Sequence, residues 1–130
     1  TDEYPLMYEY PEGVGDDLIV SIGILRDIHN EVATSLDWHR IQTAPMLRIS
    51  GEQPITSAGQ ANAVAQELKM TISEVLVSVK GQRLHLFFSG PSYLALFLGH
   101  RLNGLVPVQC YEWVSPGHYV PTCQLLSADC

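Results

Sequence analysis

Three short apolar runs, each followed by a more polar segment, constrain the fold of this chain more than any other feature. The runs cover residues 17–25 (DLIVSIGIL), 46–50 (MLRIS) and 84–88 (LHLFF). The first and third are apolar almost throughout, a pattern typical of strands buried on both faces of a parallel sheet. A fourth run at 106–110 and an apolar segment at 118–126 flank a Ser-Pro-Gly turn, which predicts that these two strands pair as a hairpin.

The segment after the first run predicts a short amphipathic helix. Ile28, Val32 and Leu36 recur at intervals of four residues, so they fall on one helical face. Asp27 directly precedes them. Because a short carboxylate accepts well from the free N–H groups of a first turn, Asp27 is predicted to be the N-cap.

The second predicted helix is the longest, and both of its ends carry sequence signals. Ser57 and Gln60 have the spacing of a capping box, and apolar residues then follow helical periodicity. Gly81 is placed as a C-terminal cap glycine. Thr71 and Ser73 interrupt the middle of the pattern and are poor helix formers, so we expect a bend or a break near them.

Strand and helix therefore alternate three times and end in a strand pair. This order predicts an α/β fold with right-handed crossovers, in which helices flank a mainly parallel sheet and an antiparallel strand pair lies at the C-terminus. Residues 1–17 hold six acidic groups and no basic one. We interpret them as an acidic linker or edge segment before a single domain at 18–130, since 130 residues is the usual length of one domain.

Composition and charge argue against several classes of partner. The formal net charge is −7, but beyond residue 17 the balance is eight acidic against seven basic groups. The lack of a basic stripe argues against long nucleic acid, and no apolar stretch is long enough for a membrane span. Without a secretory signal, Cys110, Cys123 and Cys130 are interpreted as reduced thiols of a cytoplasmic protein. The start at Thr1, without Met, suggests a fragment or a processed piece.

Ligands of open α/β sheets bind beyond the carboxyl ends of the strands, where loops enter helices. Three segments are predicted to reach that edge: the turn after the first strand, the end of the second strand, and the turn after the third. The predicted ligand-binding residues there are Leu25, Arg26, Asp27, Ser50, Ser89, Gly90, Pro91 and Ser92. Arg26 is placed to pair with a phosphate, the alternative being a solvated surface arginine.

The turn at 89–92 is the strongest of these candidates. Gly90 lets a ligand approach the backbone, and the helix that follows offers free N–H groups and a partial positive charge. Pro91 suits the first turn of that helix, which Asn103 and Gly104 end. The alternative interpretation is an ordinary helix start. The turn has neither the Gly-Lys-Ser/Thr ending of a P-loop nor a G-x-S-x-G pattern.

Other polar residues give weaker signals. Tyr111 follows the fourth strand and is predicted to stack on a base, the alternative being a half-buried strand end. His85 alternates within an apolar strand, as a core or edge histidine does. No Ser-His-Asp arrangement is evident, so no catalytic residue is predicted. The cysteines and His118 lack the spacing of a zinc site, so neither a metal nor another cofactor is predicted.

At this point the residues resemble a known family. Residues 84–103 (LHLFFSGPSYLALFLGHRLN) are similar to the hallmark of SAVED domains, in which a strand runs through a small-residue turn with proline into a helix. Residues 108–112 (VQCYE) and 119–121 (YVP) are similar to the closing strands of that family. Residues 18–24 (LIVSIGI) and the helix at 27–36 lie where its second Rossmann-like half begins.

The resemblance implies a receptor. SAVED domains consist of two CARF-like, Rossmann-like halves that bind cyclic tri- or tetranucleotides in bacterial antiphage (CBASS) signalling. Binding drives self-association, which switches on a fused or associated effector. Carried over by position, the turns at 25–27 and 89–92 form the ligand edge. A complete SAVED domain is longer than 130 residues, so the resemblance implies one half, the C-terminal one.

Two other functions stay open from the sequence. One is a small Rossmann-like phosphodiesterase or ring nuclease that degrades cyclic oligonucleotides, for which Ser89 and His29 are the only candidate nucleophile and base. The other is an assembly domain that pairs chains without any ligand. The sequence specifies neither the ring size nor the bases of the ligand.

Overall fold

A six-stranded sheet forms the centre of the protein. The structure, a computed structural model, describes residues 3–115 and 118–125. The strands are β1 (Met7–Glu9), β2 (Asp17–Ile24), β3 (Met46–Gly51), β4 (Arg83–Ser89), β5 (Val108–Ser115) and β6 (His118–Leu125), in the spatial order β1-β3-β2-β4-β5-β6. The four inner strands run parallel, and β1 and β6 are antiparallel to their neighbours. The predicted α/β class and the C-terminal antiparallel pair are confirmed. Residues 116–117 of the predicted turn lie outside the described residues.

Three helices cover the two faces of the sheet. They are α1 (His29–Ser35), α2 (Ala58–Val79) and α3 (Ser92–Leu102), and a 3₁₀ turn (Leu36–His39) follows α1. Helices α2 and α3 pack on one face in the larger apolar cluster, while α1 packs on the other face in a smaller one. No helix among the described residues is both long and apolar enough to span a bilayer.

The alternation of side chains along β2 gives the two faces a different chemistry. Leu18, Val20 and Ile22 belong to the cluster under α2 and α3. On the α1 face, Ile19 is followed at the next two positions by Ser21 and Gly23. All six residues are buried, so along β2 small and polar groups are enclosed on the α1 side only.

Part of the acidic N-terminal segment joins the sheet. β1 pairs antiparallel with β3, with Met7 opposite Ser50 and Glu9 opposite Arg48. Glu9 and Arg48 also form a salt bridge, in which Arg48 Nη1 lies 2.9 Å from Glu9 Oε1. The strand is only three residues long, which keeps the exposed edge of the sheet short.

Both ends of α2 differ in detail from the sequence prediction. The Gln60 N–H donates to Ser57 Oγ at 3.0 Å, as in a capping box, but Gln60 Oε1 accepts from the N–H of Thr56 rather than of Ser57. At the other end, Lys80 takes the left-handed conformation with φ 60°, whereas the prediction placed Gly81 as the cap. The Gly81 N–H closes the helix by donating to a carbonyl of the last turn.

The interior of α2 and the starts of α1 and α3 also correct the prediction. Helix α2 is unbroken, and the Ser73 hydroxyl donates to the carbonyl oxygen of Lys69 at 2.7 Å, so the predicted break is absent. Ile28 is the N-cap of α1, and Asp27 instead accepts from the His29 N–H at 3.0 Å. Pro91, which is predicted in the first turn of α3, is its N-cap, so the helix begins one residue later, at Ser92.

Lys80 provides a test of the helix end. Replacing Lys80 by Gly relieves a left-handed side-chain conformation, so we expect the free energy of unfolding to rise by about 0.5–1 kcal/mol in urea denaturation. The matched substitution Lys69→Gly lies within α2 and should lower it by about 1 kcal/mol. A loss of stability in both variants would contradict the assigned cap.

Candidate ligand-binding edge

The parallel register brings three predicted segments to one edge of the sheet. Gly23 of β2 is paired with Ser50 of β3 on one side and with Ser89 of β4 on the other. The three strands therefore end at the same level, and their loops leave the sheet side by side. We call this region the carboxyl edge; its members are residues 25–27, 50–51 and 89–92.

The turn after β2 is held in a conformation that side chains rarely adopt. Leu25 has φ 65° and is 60% exposed, and its N–H donates to the carbonyl oxygen of Gly51 at 2.7 Å. The chain then folds back closely, since a Cβ on Gly23 would lie 2.1 Å from the carbonyl oxygen of Arg26. Residues held in such strained backbone conformations cluster at functional sites, so this turn is a candidate contact.

The arginine of this turn is paired with a carboxylate of α1. Arg26 Nη2 lies 2.8 Å from Glu31 Oε1, and both side chains are partly exposed. Arg48, on the neighbouring strand, is paired with Glu9. A phosphate at Arg26 therefore has to compete with a carboxylate that is already in place.

Close packing explains why the turn after β4 contains glycine at position 90. A Cβ on Gly90 would lie 2.8 Å from Phe88 Cζ and 3.2 Å from Ile24 Cβ, so one side of this residue is closed by the ends of two strands. Its other side is exposed to solvent. Pro91 and exposed Ser92 then begin α3, whose first N–H groups have no acceptor within the helix.

A histidine connects two of these strands beneath the edge. His29 Nδ1 lies 2.8 Å from Ser21 Oγ, and His29 Nε2 lies 2.8 Å from Ser50 Oγ. We call these three residues the His29 bridge. Ser21 is fully buried, whereas His29 and Ser50 are half-buried. Burial lowers the pKa of His29; the carboxylate of Asp27 opposes this effect and Arg48 adds to it, so the imidazole is neutral near pH 7.

The sequence analysis missed this bridge as a unit. It named Ser50 and, for one alternative, His29, but it gave Ser21 no role. The available signal is the position of Ser21 and Gly23 in an otherwise apolar strand, since both lie on the same face.

Tyr111 lies away from the other predicted site residues. Its ring stacks on Phe87 with the centroids 4.2 Å apart, and its hydroxyl lies 2.7 Å from His85 Nδ1. His85 Nε2 in turn lies 2.8 Å from Asp17 Oδ1, at the opposite, amino end of β2. Burial, together with the Asp17 charge, raises the pKa of Tyr111 to about 12. Base stacking by Tyr111 stays a prediction, and one face of the ring is already covered by Phe87.

The amino end of the sheet thus has a polar cluster of its own. Arg83 donates to both carboxylate oxygens of Asp17, at 2.9 and 3.2 Å. A cavity of about 200 Å³ lies beside it, lined by residues that include His85, Gln109 and Tyr111. The cluster joins β2, β4 and β5.

The described residues contain no group of three or more His, Cys, Asp and Glu side chains arranged to hold a metal ion. Cys110 is partly buried and forms no disulfide with another described residue. The side chains of His118 and Cys123, and all of Cys130, lie outside what the structure describes.

A mainly parallel sheet flanked by helices, with three loops at one carboxyl edge, defines an α/β domain. The chain belongs to the SAVED family: the model of the "SMODS-associated and fused to various effectors sensor domain" matches residues 2–125. The resemblance found in the sequence is therefore confirmed. The family is one of sensor domains.

Curated relatives and solved structures agree with this assignment. CD-NTase-associated protein 4 of an Acinetobacter species and that of Moraxella osloensis are 33% and 34% identical over 107 residues, which are 82% of this chain and 22% of each relative. The Acinetobacter baumannii Cap4 SAVED/CARF-domain containing receptor with the cyclic trinucleotide 3′3′3′-cAAA has a TM-score of 0.84 at 29% identity, over 95% of this chain and 28% of that one. The Moraxella osloensis receptor has a TM-score of 0.67 at 32% identity, over 85% and 22%. The chain spans about a fifth of the length of its curated relatives.

Asp17 yields a prediction about pH. Hydrogen bonds from Arg83, and more weakly from His85, hold the pKa of Asp17 below its ordinary value of 3.8, against the effect of burial. A lowered folded-state pKa stabilises the fold above pH 3.8, and this contribution is lost as pH falls through the folded-state value. Because the ion pair is partly exposed, Asp17→Asn should cost about 1 kcal/mol at pH 7 and progressively less below pH 3.8, measured by urea denaturation.

The control for this prediction is Glu74→Gln on the exposed face of α2, which should change stability by less than about 0.5 kcal/mol. An Asp17→Asn deficit that stays constant from pH 7 to pH 2.5 would show that the carboxylate charge is not the stabilising feature.

Proposed function

We propose that this chain is part of a sensor that binds a cyclic oligonucleotide, a tri- or tetranucleotide, at the carboxyl edge. The observation that carries the proposal is the register of Gly23 with Ser50 and Ser89, which gathers three loops around one open edge. Support comes from the Acinetobacter baumannii receptors with the cyclic trinucleotides 3′3′3′-cAAA and 2′3′3′-cAAA, which share this fold at 28–29% identity.

The chemistry of the edge suits a small anion held mainly by neutral donors. Arg26 and Arg48 are already paired with carboxylates. The remaining donors are main-chain N–H groups at the start of α3 and the hydroxyls of Ser50, Ser89 and Ser92. Such donors recognise phosphodiester oxygens by geometry, and they do not create a field that attracts long nucleic acid.

Binding without turnover is the function that this arrangement favours. The phosphodiesterase alternative requires His29 to act as a base on Ser89. Each ring nitrogen of His29 instead lies 2.8 Å from a different hydroxyl, Ser21 Oγ or Ser50 Oγ. We therefore propose a receptor role for this chain and expect no hydrolysis of the cyclic ligand at Ser89.

Signal transmission involves parts of the protein beyond this chain. Because the matched residues are only 22% of each relative, we propose that a fused or associated effector and a second Rossmann-like half complete the receptor in the bacterial cytoplasm. Exposed Leu25 is placed to contact that other half or a second copy. Self-association on ligand binding distinguishes this function from the ligand-independent assembly domain, and light scattering with and without ligand measures it.

A bulky side chain at the carboxyl edge tests the proposal. In the full-length protein, Ser92→Trp should weaken binding of the cyclic trinucleotide 3′3′3′-cAAA at least about tenfold in isothermal titration calorimetry, because the indole occupies the exposed start of α3. The matched control Ser78→Trp, on an exposed turn of α2, should bind as the unmodified protein does.

The result that overturns the proposal is an absence of heat for the unmodified protein with cyclic di-, tri- and tetranucleotides. If Ser92→Trp and Ser78→Trp weaken ligand binding equally, the ligand does not bind at this edge.

A further inference from the structure

We propose that the Ser50 hydroxyl is an oriented hydrogen-bond donor to a phosphodiester oxygen of the ligand, and that His29 is the positioning residue that orients it. The inference rests on the proposed function and adds a named contact to it. It depends on which ring nitrogen of His29 carries the proton, and the burial of Ser21 decides that question.

The Ser21 hydroxyl is fully enclosed on the α1 face of β2. A buried hydroxyl hydrogen without an acceptor costs about 1–3 kcal/mol, so this hydrogen has to point at an acceptor. The partner at hand is His29 Nδ1, 2.8 Å away. Ser21 therefore donates to Nδ1, and Nδ1 carries no proton.

A neutral imidazole has one donor nitrogen and one acceptor nitrogen. With Nδ1 as the acceptor, the proton lies on Nε2, and Nε2–H donates to Ser50 Oγ at 2.8 Å. The Ser50 oxygen therefore accepts a hydrogen bond on the side that faces the imidazole ring. Its own hydrogen points away from the ring, and Ser50 is half-buried, so this hydrogen is available to a ligand oxygen.

The location of Ser50 suits such a contact. Its backbone lies level with Gly23, one residue before Gly51, whose carbonyl oxygen accepts from the Leu25 N–H. The Ser50 hydroxyl therefore lies beside the start of the strained turn at residues 25–27. Because its direction is set before the ligand arrives, binding does not have to pay for ordering a free hydroxyl.

The same geometry distinguishes this bridge from a hydrolytic triad. In a Ser-His-Asp triad, a carboxylate accepts from Nδ1–H, which leaves Nε2 free to take the serine proton. Here a hydroxyl donates to Nδ1, so the ring has the opposite tautomer and Nε2 cannot act as a base. Ser50 is set to donate a hydrogen bond and is not activated as a nucleophile.

The first test is the tautomer of His29. ¹⁵N-histidine labelling of the full-length protein, with His29→Gln to assign the signal, reports the protonation of the ring directly. We expect Nε2 protonated and Nδ1 unprotonated at pH 7.5, and Ser21→Ala should shift the ring toward the other tautomer. A proton on Nδ1 in the unmodified protein would overturn the inference without any ligand.

The second test is binding of 3′3′3′-cAAA. Ser50→Ala should weaken it about tenfold, and Ser50→Thr, which keeps the hydroxyl, should restore it to within about threefold. Ser21→Ala should weaken it about threefold although it removes no ligand contact, because the Ser50 hydroxyl is no longer oriented. Exposed Ser78→Ala is the control and should bind normally.

The outcomes separate the two proposals. If the unmodified protein binds no cyclic nucleotide, the proposed function fails, and the tautomer still tests the bridge. If it binds and Ser50→Ala binds equally well, only the present inference fails. Cleavage of the ligand that Ser50→Ala abolishes would also overturn it, since Ser50 would then be a nucleophile.

Discussion

The parallel pairing of β2 with β3 on one side and β4 on the other is the constraint on which the candidate site depends. It sets Gly23 level with Ser50 and Ser89, so three loops that are far apart in the sequence leave the sheet together. A shift of one residue in either pairing would turn the side chains of that strand to the opposite face. The enclosed apolar residues of β2, among them Val20 and Ile22, prevent such a shift because they would lose their places under α2 and α3.

The division of chemistry between the two faces follows from this arrangement. The face under α2 and α3 is apolar throughout the core cluster and provides most of the buried surface. The α1 face carries Ser21 and the small residue Gly23, and it encloses a polar bridge instead of a larger apolar side chain there. The larger apolar cluster therefore lies on one side of the sheet, and the buried polar bridge lies on the other.

Sequence reasoning recovered the elements and the edge, because periodicity and the carboxyl-end rule act through neighbouring residues and strand direction. It placed the cap of α2 on Gly81, while the chain turned one residue earlier at Lys80, since propensity does not resolve a single position. The His29 bridge could not be predicted from the sequence. Ser21 and Ser50 meet one ring only through the register of two strands, and burial, which assigns the proton, is a property of the folded state. Tyr111 was predicted from its strand end, but its hydroxyl is directed to His85 near the amino end.

The pairing of arginines with carboxylates near the carboxyl edge affects how the proposed receptor would discriminate between anionic ligands. A site built on cations binds many anions, because attraction between charges depends weakly on direction. Neutral donors bind only when each meets an acceptor, and a donor left unpaired against a ligand costs affinity. With Arg26 and Arg48 engaged by carboxylates, we expect the position of the phosphodiester oxygens, and hence the shape of the proposed cyclic ligand, to decide whether it binds. In the receptor that we propose, a half site of this kind provides few contacts by itself, so its affinity would depend on the surface that completes it, and ligand recognition would be coupled to assembly.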